Sequence, residues 1–122
     1  MASKRIQGIT IELDGDTTKL NKAIRELNAP INQVNNELKN LNQALKLDPK
    51  NTELLAQKQD VLKKNIEATT ERLEKLKMAQ QQMGNYNDLT EEQKEQYRAL
   101  SVEIAKSEAA LNSLTKEYNN FG

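Results

Sequence analysis

The sequence contains no histidine, cysteine or tryptophan, and only one phenylalanine and three tyrosines among its 122 residues. Without cysteine and histidine there is no thiolate nucleophile, no disulfide framework, no zinc finger and no imidazole to act as a general base near neutral pH. These absences exclude most familiar classes of enzyme. We therefore expect a protein without enzymatic activity, with no catalytic residue, no cofactor-binding residue and no metal ligand.

The sequence also lacks an excess of charge and any long apolar run. Its 18 basic and 18 acidic residues cancel, so no overall field attracts nucleic acid or an anionic membrane. No apolar run approaches the ~20 residues that a membrane span needs, and the N-terminus lacks the apolar stretch of a signal peptide. We expect a cytoplasmic protein that has neither a specific nucleic acid nor a membrane as its partner.

Asparagine and glutamine are abundant, whereas glycine and proline number only 4 and 2. The mean hydropathy is −0.85, so a thick apolar core is not expected. Because breakers are few, the composition is typical of long polar helices that carry narrow apolar stripes.

The N-terminal segment from Ile6 to Asp16 has a period of two. Ile9, Ile11 and Leu13 fall on one face and polar residues fall on the other, which predicts one short β-strand. A lone strand cannot satisfy its own backbone groups, so it frays or pairs with another chain through these three residues.

The first helix is predicted from Thr18 to Leu47 by apolar residues at alternating steps of four and three, which form a heptad seam. Pro30 lacks an N–H and restricts the residue before it, so we expect a kink or a break there. The seam residues of this helix are Leu20, Ile24, Leu27, Ile31, Val34, Leu38, Leu41 and Leu45.

An asparagine stripe borders this seam, with one asparagine in every heptad. The stripe consists of Asn21, Asn28, Asn35 and Asn42. It is either a solvated flank of the seam or the lining of a surface for a partner.

Two further helices are predicted, from Thr52 to Met83 and from Thr90 to Tyr118, with turns at Leu47–Thr52 and Met83–Asp88. The third helix opens on a capping box. The seams of these helices also contain the polar residues Gln59, Thr69, Gln80 and Ser107, and polar seam positions are able to set the register. The apolar seam residues of these two helices are Leu55, Leu62, Ile66, Leu73, Leu76, Tyr97, Leu100, Ile104, Leu111, Leu114 and Tyr118.

These patterns predict an all-α fold with one short N-terminal strand. Residues 1–16 form the strand or arm, and residues 17–122 form three long helices in antiparallel coiled-coil hairpins. Two arrangements stay open: a monomeric three-helix bundle, or hairpins that lend apolar stripes to other copies. We expect self-association, whose stoichiometry the sequence does not define.

Three segments, taken in order, resemble the N-terminal region of tail tape measure proteins from long-tailed phages and prophages of Gram-positive bacteria. They are Arg5–Leu20 (RIQGITIELDGDTTKL), Leu45–Gln59 (LKLDPKNTELLAQKQ), and Glu95–Leu100 (EQYRAL) followed by Glu103–Ile104. The resemblance extends over nearly the whole chain, and the first two segments are its most specific part.

The resemblance implies a structural protein of the phage tail. Proteins of that family are long and helical, lie inside the tail tube as an oligomer and determine tail length during assembly. Their partners are tail tube, tail chaperone and tail tip proteins, so the implied location is the host cytoplasm during assembly and then the lumen of the virion tail. A single helix of 122 residues spans only ~180 Å, so we expect an excised terminal domain or a truncated prophage product.

A second class of function is a cytoplasmic helical-hairpin chaperone or adaptor built like prefoldin. In such a protein strands join the subunits and the tips of the hairpins hold clients. Client-holding tips need exposed apolar residues, and only Leu47 and Tyr86 lie near the two predicted turns. The neighbouring genes discriminate between the two classes, since tail tube and tail chaperone genes favour the first.

Overall fold

A computed structural model describes residues 4–6, 11–13 and 17–120 of the chain. Its elements, in chain order, are β1 (Lys4–Ile6), β2 (Ile11–Leu13), α1 (Thr17–Leu47), α2 (Thr52–Gln82) and α3 (Glu91–Asn119). A short 3-10 turn, Tyr86–Asp88, lies between α2 and α3. The prediction of three long helices in an all-α fold is confirmed.

Local capping explains where two of the helices begin. The side chain of Asn51 accepts a hydrogen bond from the backbone N–H of Leu54 at 3.0 Å and starts α2. Thr90 and Gln93 form a reciprocal capping box that starts α3. Each cap satisfies backbone donors that the first helical turn leaves without a partner, so these boundaries are encoded in a few neighbouring residues.

Helix α1 runs through Pro30 without the break that the sequence predicted. Pro30 is exposed, whereas Leu27, Ile31 and Val34 around it are partly buried. Of the two predicted outcomes, a kink or a break, the break is not formed, because packing on both sides of the proline outweighs one missing hydrogen bond. A proline in a helix costs about 3 kcal/mol, and burying several apolar side chains offsets a cost of this size.

The single N-terminal strand predicted from Ile6 to Asp16 is not seen. Instead, β1 and β2 pair antiparallel with each other, with Lys4 opposite Leu13 and Ile6 opposite Ile11. The prediction erred because it placed Ile6 in the same strand as Ile11, although the residues before Ile6 supply the pairing partner. Of the proposed pairing residues, Ile11 and Leu13 lie in β2, and Ile9 lies outside the described residues.

Helix α2 is the central helix, because it packs against both α1 and α3, whereas α1 and α3 make much less contact with each other. We call the half of the bundle that holds the start of α1, the end of α2 and the start of α3 the closed end. Its core combines a cluster of buried apolar side chains with one completely buried amide, Gln96. The apolar core residues are Leu20, Ile24, Leu73, Leu76, Ala79, Met83, Leu100 and Ile104.

The opposite half, which holds the end of α1, the start of α2 and the end of α3, is called the open end. None of the predicted seam residues is fully exposed, and those at the open end other than Leu62 are only partly buried. The partly buried seam residues of the whole chain are Leu27, Ile31, Val34, Leu38, Leu41, Leu45, Leu55, Ile66, Tyr97, Leu111, Leu114 and Tyr118. Seam residue Leu62, in the first half of α2, is completely buried, and the adjacent Val61 is buried as well.

Gly84 ends α2 with a backbone φ of +83°. This left-handed conformation is costly for residues with a Cβ atom, and glycine adopts it without strain.

Among the described helices, none combines the length and the hydropathy that crossing a bilayer requires.

Candidate functional site: a buried polar layer across the bundle

A layer of polar side chains crosses the middle of the bundle, between the closed end and the open end. We call this set the polar layer. Its buried members are Asn65, Thr69 and Arg72 from α2 and Ser107 from α3. Glu103 from α3 is partly buried, and Asn35 from α1 is exposed. Because buried polar groups require hydrogen-bonding partners, such a layer restricts how helices can align.

The first half of the polar layer joins α1 to α2 through amides. Asn65 is completely buried and donates from Nδ2 to Oδ1 of Asn35 at 2.6 Å. Its own Oδ1 accepts from the hydroxyl of Thr69, one turn further along α2, at 3.1 Å. Asn65 therefore uses its donor group toward α1 and its acceptor toward its own helix.

The second half joins α2 to α3 through a buried guanidinium. Arg72 is 9% exposed and donates from Nη2 to Oε2 of Glu103 at 2.5 Å and from Nη1 to the hydroxyl of Ser107. Glu103 is also near Lys106, with 3.8 Å between Oε1 and Nζ. Two charge-assisted hydrogen bonds from one rigid guanidinium group fix both the axial position and the rotation of α3 relative to α2.

Sequence reasoning placed Thr69 and Ser107 on the helical seams but missed Asn65 and Arg72. A signal for them existed, because Lys58, Asn65, Arg72 and Ala79 follow one another at intervals of seven. Lys58 is partly buried, and the other three are buried. These residues occupy the second core position in the heptads of α2. Because most of them are polar, a pattern of apolar residues does not reveal this position.

Two further contacts join α2 to α3 at opposite ends. At the open end, Lys58 and Glu117 form an ion pair of 3.1 Å. Toward the closed end, Nε2 of Gln80 donates to the carbonyl of Tyr97 at 3.1 Å and to the hydroxyl of Ser101 at 2.6 Å. The α2 to α3 interface thus carries polar contacts along most of its length.

The turn between α2 and α3 is held by Tyr86. Its ring lies 5.3 Å from that of Tyr97, and its hydroxyl accepts a hydrogen bond of 2.5 Å from Arg98. The ammonium of Lys94 lies 5.4 Å from the centre of the same ring. These contacts attach the connection between α2 and α3 to the first two helical turns of α3. The ring and the hydroxyl of Tyr86 are thus both engaged by residues of its own chain.

Two surface grooves lie beside α1. A cavity of about 400 Å³ lies between α1 and α2, and one of about 430 Å³ lies between α1 and α3. Their linings mix amides, charged side chains of both signs and aliphatic side chains. Within the described part of the chain, no group of three or more acidic, histidine or cysteine residues is placed to hold a metal ion.

Comparisons with models of protein families, with curated proteins and with solved structures found no match to this chain.

Proposed function

We propose that the chain is a structural domain of a phage tail: the N-terminal helical region of a tail tape measure protein. It takes part in tail assembly and tail length determination through helix packing and self-association. The resemblance of three ordered segments to that family, two of which lie at Arg5–Leu20 and Leu45–Gln59, motivates this proposal.

The observation that carries the proposal furthest is the partly buried seam at the open end. Leu41 and Leu45 of α1, Leu55 of α2, and Leu114 and Tyr118 of α3 each keep part of their apolar surface exposed. Burying apolar surface contributes roughly 25 cal/mol per Å². A second helical chain that covers these side chains gains this contribution, which supports self-association as the mode of action.

The proposed partners follow from this mode of action and from the family resemblance. A second copy of the chain covers the open end, and tail tube, tail chaperone and tail tip proteins are the partners in the assembling tail. The proposed location is the host cytoplasm during assembly and the tail lumen afterwards.

One observation favours the second candidate, a prefoldin-like helical-hairpin chaperone or adaptor. Leu47 is 90% exposed at the tip between α1 and α2, where a client-holding apolar group is needed. A single leucine offers little area for a client, so the structural tail domain is the leading proposal. Replacement of Leu47 by serine separates the two, because it impairs client holding and leaves tail assembly intact.

The proposal is tested by deleting the coding sequence from the prophage that carries it and inducing particle production. Electron microscopy is expected to show capsids without tails or with tails of abnormal length, and expression of the wild-type chain is expected to restore them. Complementation with Leu41→Asn and Leu45→Asn together is expected to fail, whereas Gln43→Asn, an exposed control on the same turns, restores tails. Tails of normal number and length after the deletion would refute the proposal.

A further inference from the structure

The groove between α1 and α2 at the open end has an apolar bottom and a charged border. All of its lining residues belong to these two helices. Its large apolar side chains are Leu41, which is partly buried, and Val61, which is buried. The charged residues around them, Glu37, Asp60 and Lys64, are exposed. A partner that fills this groove therefore covers Leu41, one of the seam residues that the open end leaves partly exposed.

Acidic residues continue from the groove along both of its walls. Glu26 and Glu37 are the two acidic residues of α1, and their spacing of 11 residues, about three helical turns, places them on the same flank. On α2, Glu67 follows Asp60 after about two helical turns. All four are exposed, and Lys64 is the one cation among the residues that line the groove. We call the groove with these four acidic residues the acidic groove.

The outer face of α3 carries cations beside an exposed apolar side chain. Val102 lies two residues from each of the buried core residues Leu100 and Ile104, and so about 200° away from them around the helix. It is 52% exposed. We call this side of α3 the basic face. Its residues, all of them exposed, are Arg98, Val102, Ala105, Lys106, Ala109 and Lys116.

The acidic residues of this part of α3 lie away from the basic face. Glu103 turns toward Arg72 of α2, and Glu108 lies about 100° around the helix from the middle of the face. Lys106 remains 68% exposed, with 3.8 Å between its Nζ and Oε1 of Glu103. The face is therefore positively charged, although acidic residues outnumber basic ones in α3 as a whole.

The charges on the two surfaces recur at similar intervals. The three cations of the basic face are separated by 8 and 10 residues, and the acidic residues within each wall of the groove by 7 and 11. At ~1.5 Å per residue, all of these spacings fall between about 10 and 17 Å along the helix axis. The two surfaces thus match in sign and in spacing.

We infer that copies of the chain associate head to tail, with the basic face of one copy packed in the acidic groove of the next. The inference rests on the self-association in the proposed function and names the two surfaces that make it. Two grooves repel each other and two basic faces repel each other, so charge favours the unlike contact. Each copy then keeps one groove and one face for further copies, and such a contact builds a ring or a filament.

The apolar side chain on the basic face distinguishes it from the cations of α1. Exposed ion pairs contribute little by themselves, so the contact also requires apolar surface to be buried. Lys39 and Lys46 of α1 lie beside the amides Asn36 and Gln43, whereas Val102 of α3 offers apolar surface to the groove. Charge and apolar surface together therefore select α3 as the occupant.

Reversal of charge on each surface tests the contact. The groove variant carries Glu37→Lys with Asp60→Lys, and the face variant carries Lys106→Glu with Lys116→Glu. Each variant alone is expected to associate about tenfold more weakly than the wild type or worse, because its two surfaces then have the same sign. Light scattering over a concentration series measures the association, and circular dichroism verifies that both variants keep their helices.

An equimolar mixture of the two variants is the decisive sample. The groove of each variant is opposite in sign to the face of the other, so the mixture is expected to regain the molar mass of the wild type. The inference is overturned if either folded variant associates as strongly as the wild type, or if the mixture is no heavier than its separate components. A wild-type chain that stays monomeric at every concentration overturns it as well.

The matched controls make the same changes of net charge outside the two surfaces. They are Glu92→Lys with Glu108→Lys, and Lys63→Glu with Lys77→Glu, all at exposed positions. Both controls are expected to associate like the wild type, and an equal loss in them would overturn the inference by assigning the effect to net charge. None of these results bears on the tail phenotype of the deletion, so failure of the head-to-tail contact and failure of the tail function are distinguishable.

Discussion

Arg72 in α2 donates a 2.5 Å hydrogen bond to Glu103 in α3, and the two side chains are only 10% and 20% exposed. The pair lies where the well-buried core of the closed end gives way to the partly buried seam of the open end. A buried ion pair contributes little net stability, but removing either partner leaves the other as an uncompensated charge. The pair therefore determines alignment more than it adds stability.

Replacement of Glu103 by leucine is expected to lower the free energy of unfolding by about 3 kcal/mol, because Arg72 then remains buried without a carboxylate. Urea denaturation followed by circular dichroism measures the change. Glu71→Leu is the matched control on the exposed face of α2, and its effect is expected to stay within about 0.5 kcal/mol. Equal effects of the two substitutions would contradict the role given to Glu103.

Replacement of Leu76 by alanine is expected to cost about 3 kcal/mol, since this side chain is completely buried in the closed-end core and its removal leaves a cavity. Leu47→Ala truncates the same kind of side chain at a position that is 90% exposed. Because these atoms are in water in the folded protein, the change in the free energy of unfolding is expected to be less than about 0.5 kcal/mol. The two midpoints of chemical denaturation provide the comparison. Similar losses at both positions would contradict the location of the core.

The capping box of α3 is expected to be worth about 1 kcal/mol. Thr90→Ala removes the hydroxyl that accepts from the N–H of Gln93 at 3.2 Å, so amide hydrogen exchange at the start of α3 should accelerate. Thr115→Ala, at an exposed site late in the same helix, is the control and should leave that exchange unchanged. Unaltered protection near Glu91 in the Thr90 variant would show that the cap is not formed.

Self-association is expected to depend on the open end. Leu45→Asn makes a partly buried seam position polar, and it should shift the molar mass by light scattering toward the 13.9 kDa of a single chain. Gln43→Asn is the exposed control and should retain the wild-type mass at every concentration. If Leu45→Asn self-associates as strongly as the wild type, the open end is not the contact surface.

The helices were predictable because their signals are local. The caps at Asn51 and Thr90 and the breaks at Pro49 and Gly84 each act within one turn, and the structure places the helix ends within a few residues of them. The apolar seam was equally predictable, because a 3.5-residue period is visible within one helix and does not depend on which helix packs against it.

The polar layer was harder to predict because burial of a polar residue depends on a partner distant in the sequence. The seven-residue spacing of Asn65, Arg72 and Ala79 gives the helical position of Arg72 but not its partners, because Glu103 and Ser107 lie 31 and 35 residues away. The N-terminal strands show the same limit, because the pairing of Ile6 with Ile11 depends on where the chain reverses. Pro30 shows the converse, since tertiary packing overrides a local breaker.

The central claim, that this chain is a structural component of a phage tail, is tested most directly by quantitative mass spectrometry of purified tails. The account predicts peptides from this chain in intact tails, in a fixed ratio to the tail tube protein. An assembly chaperone would instead be required in the cell and absent from the finished particle. Absence of these peptides from tails whose tube and tip proteins are detected would contradict the account.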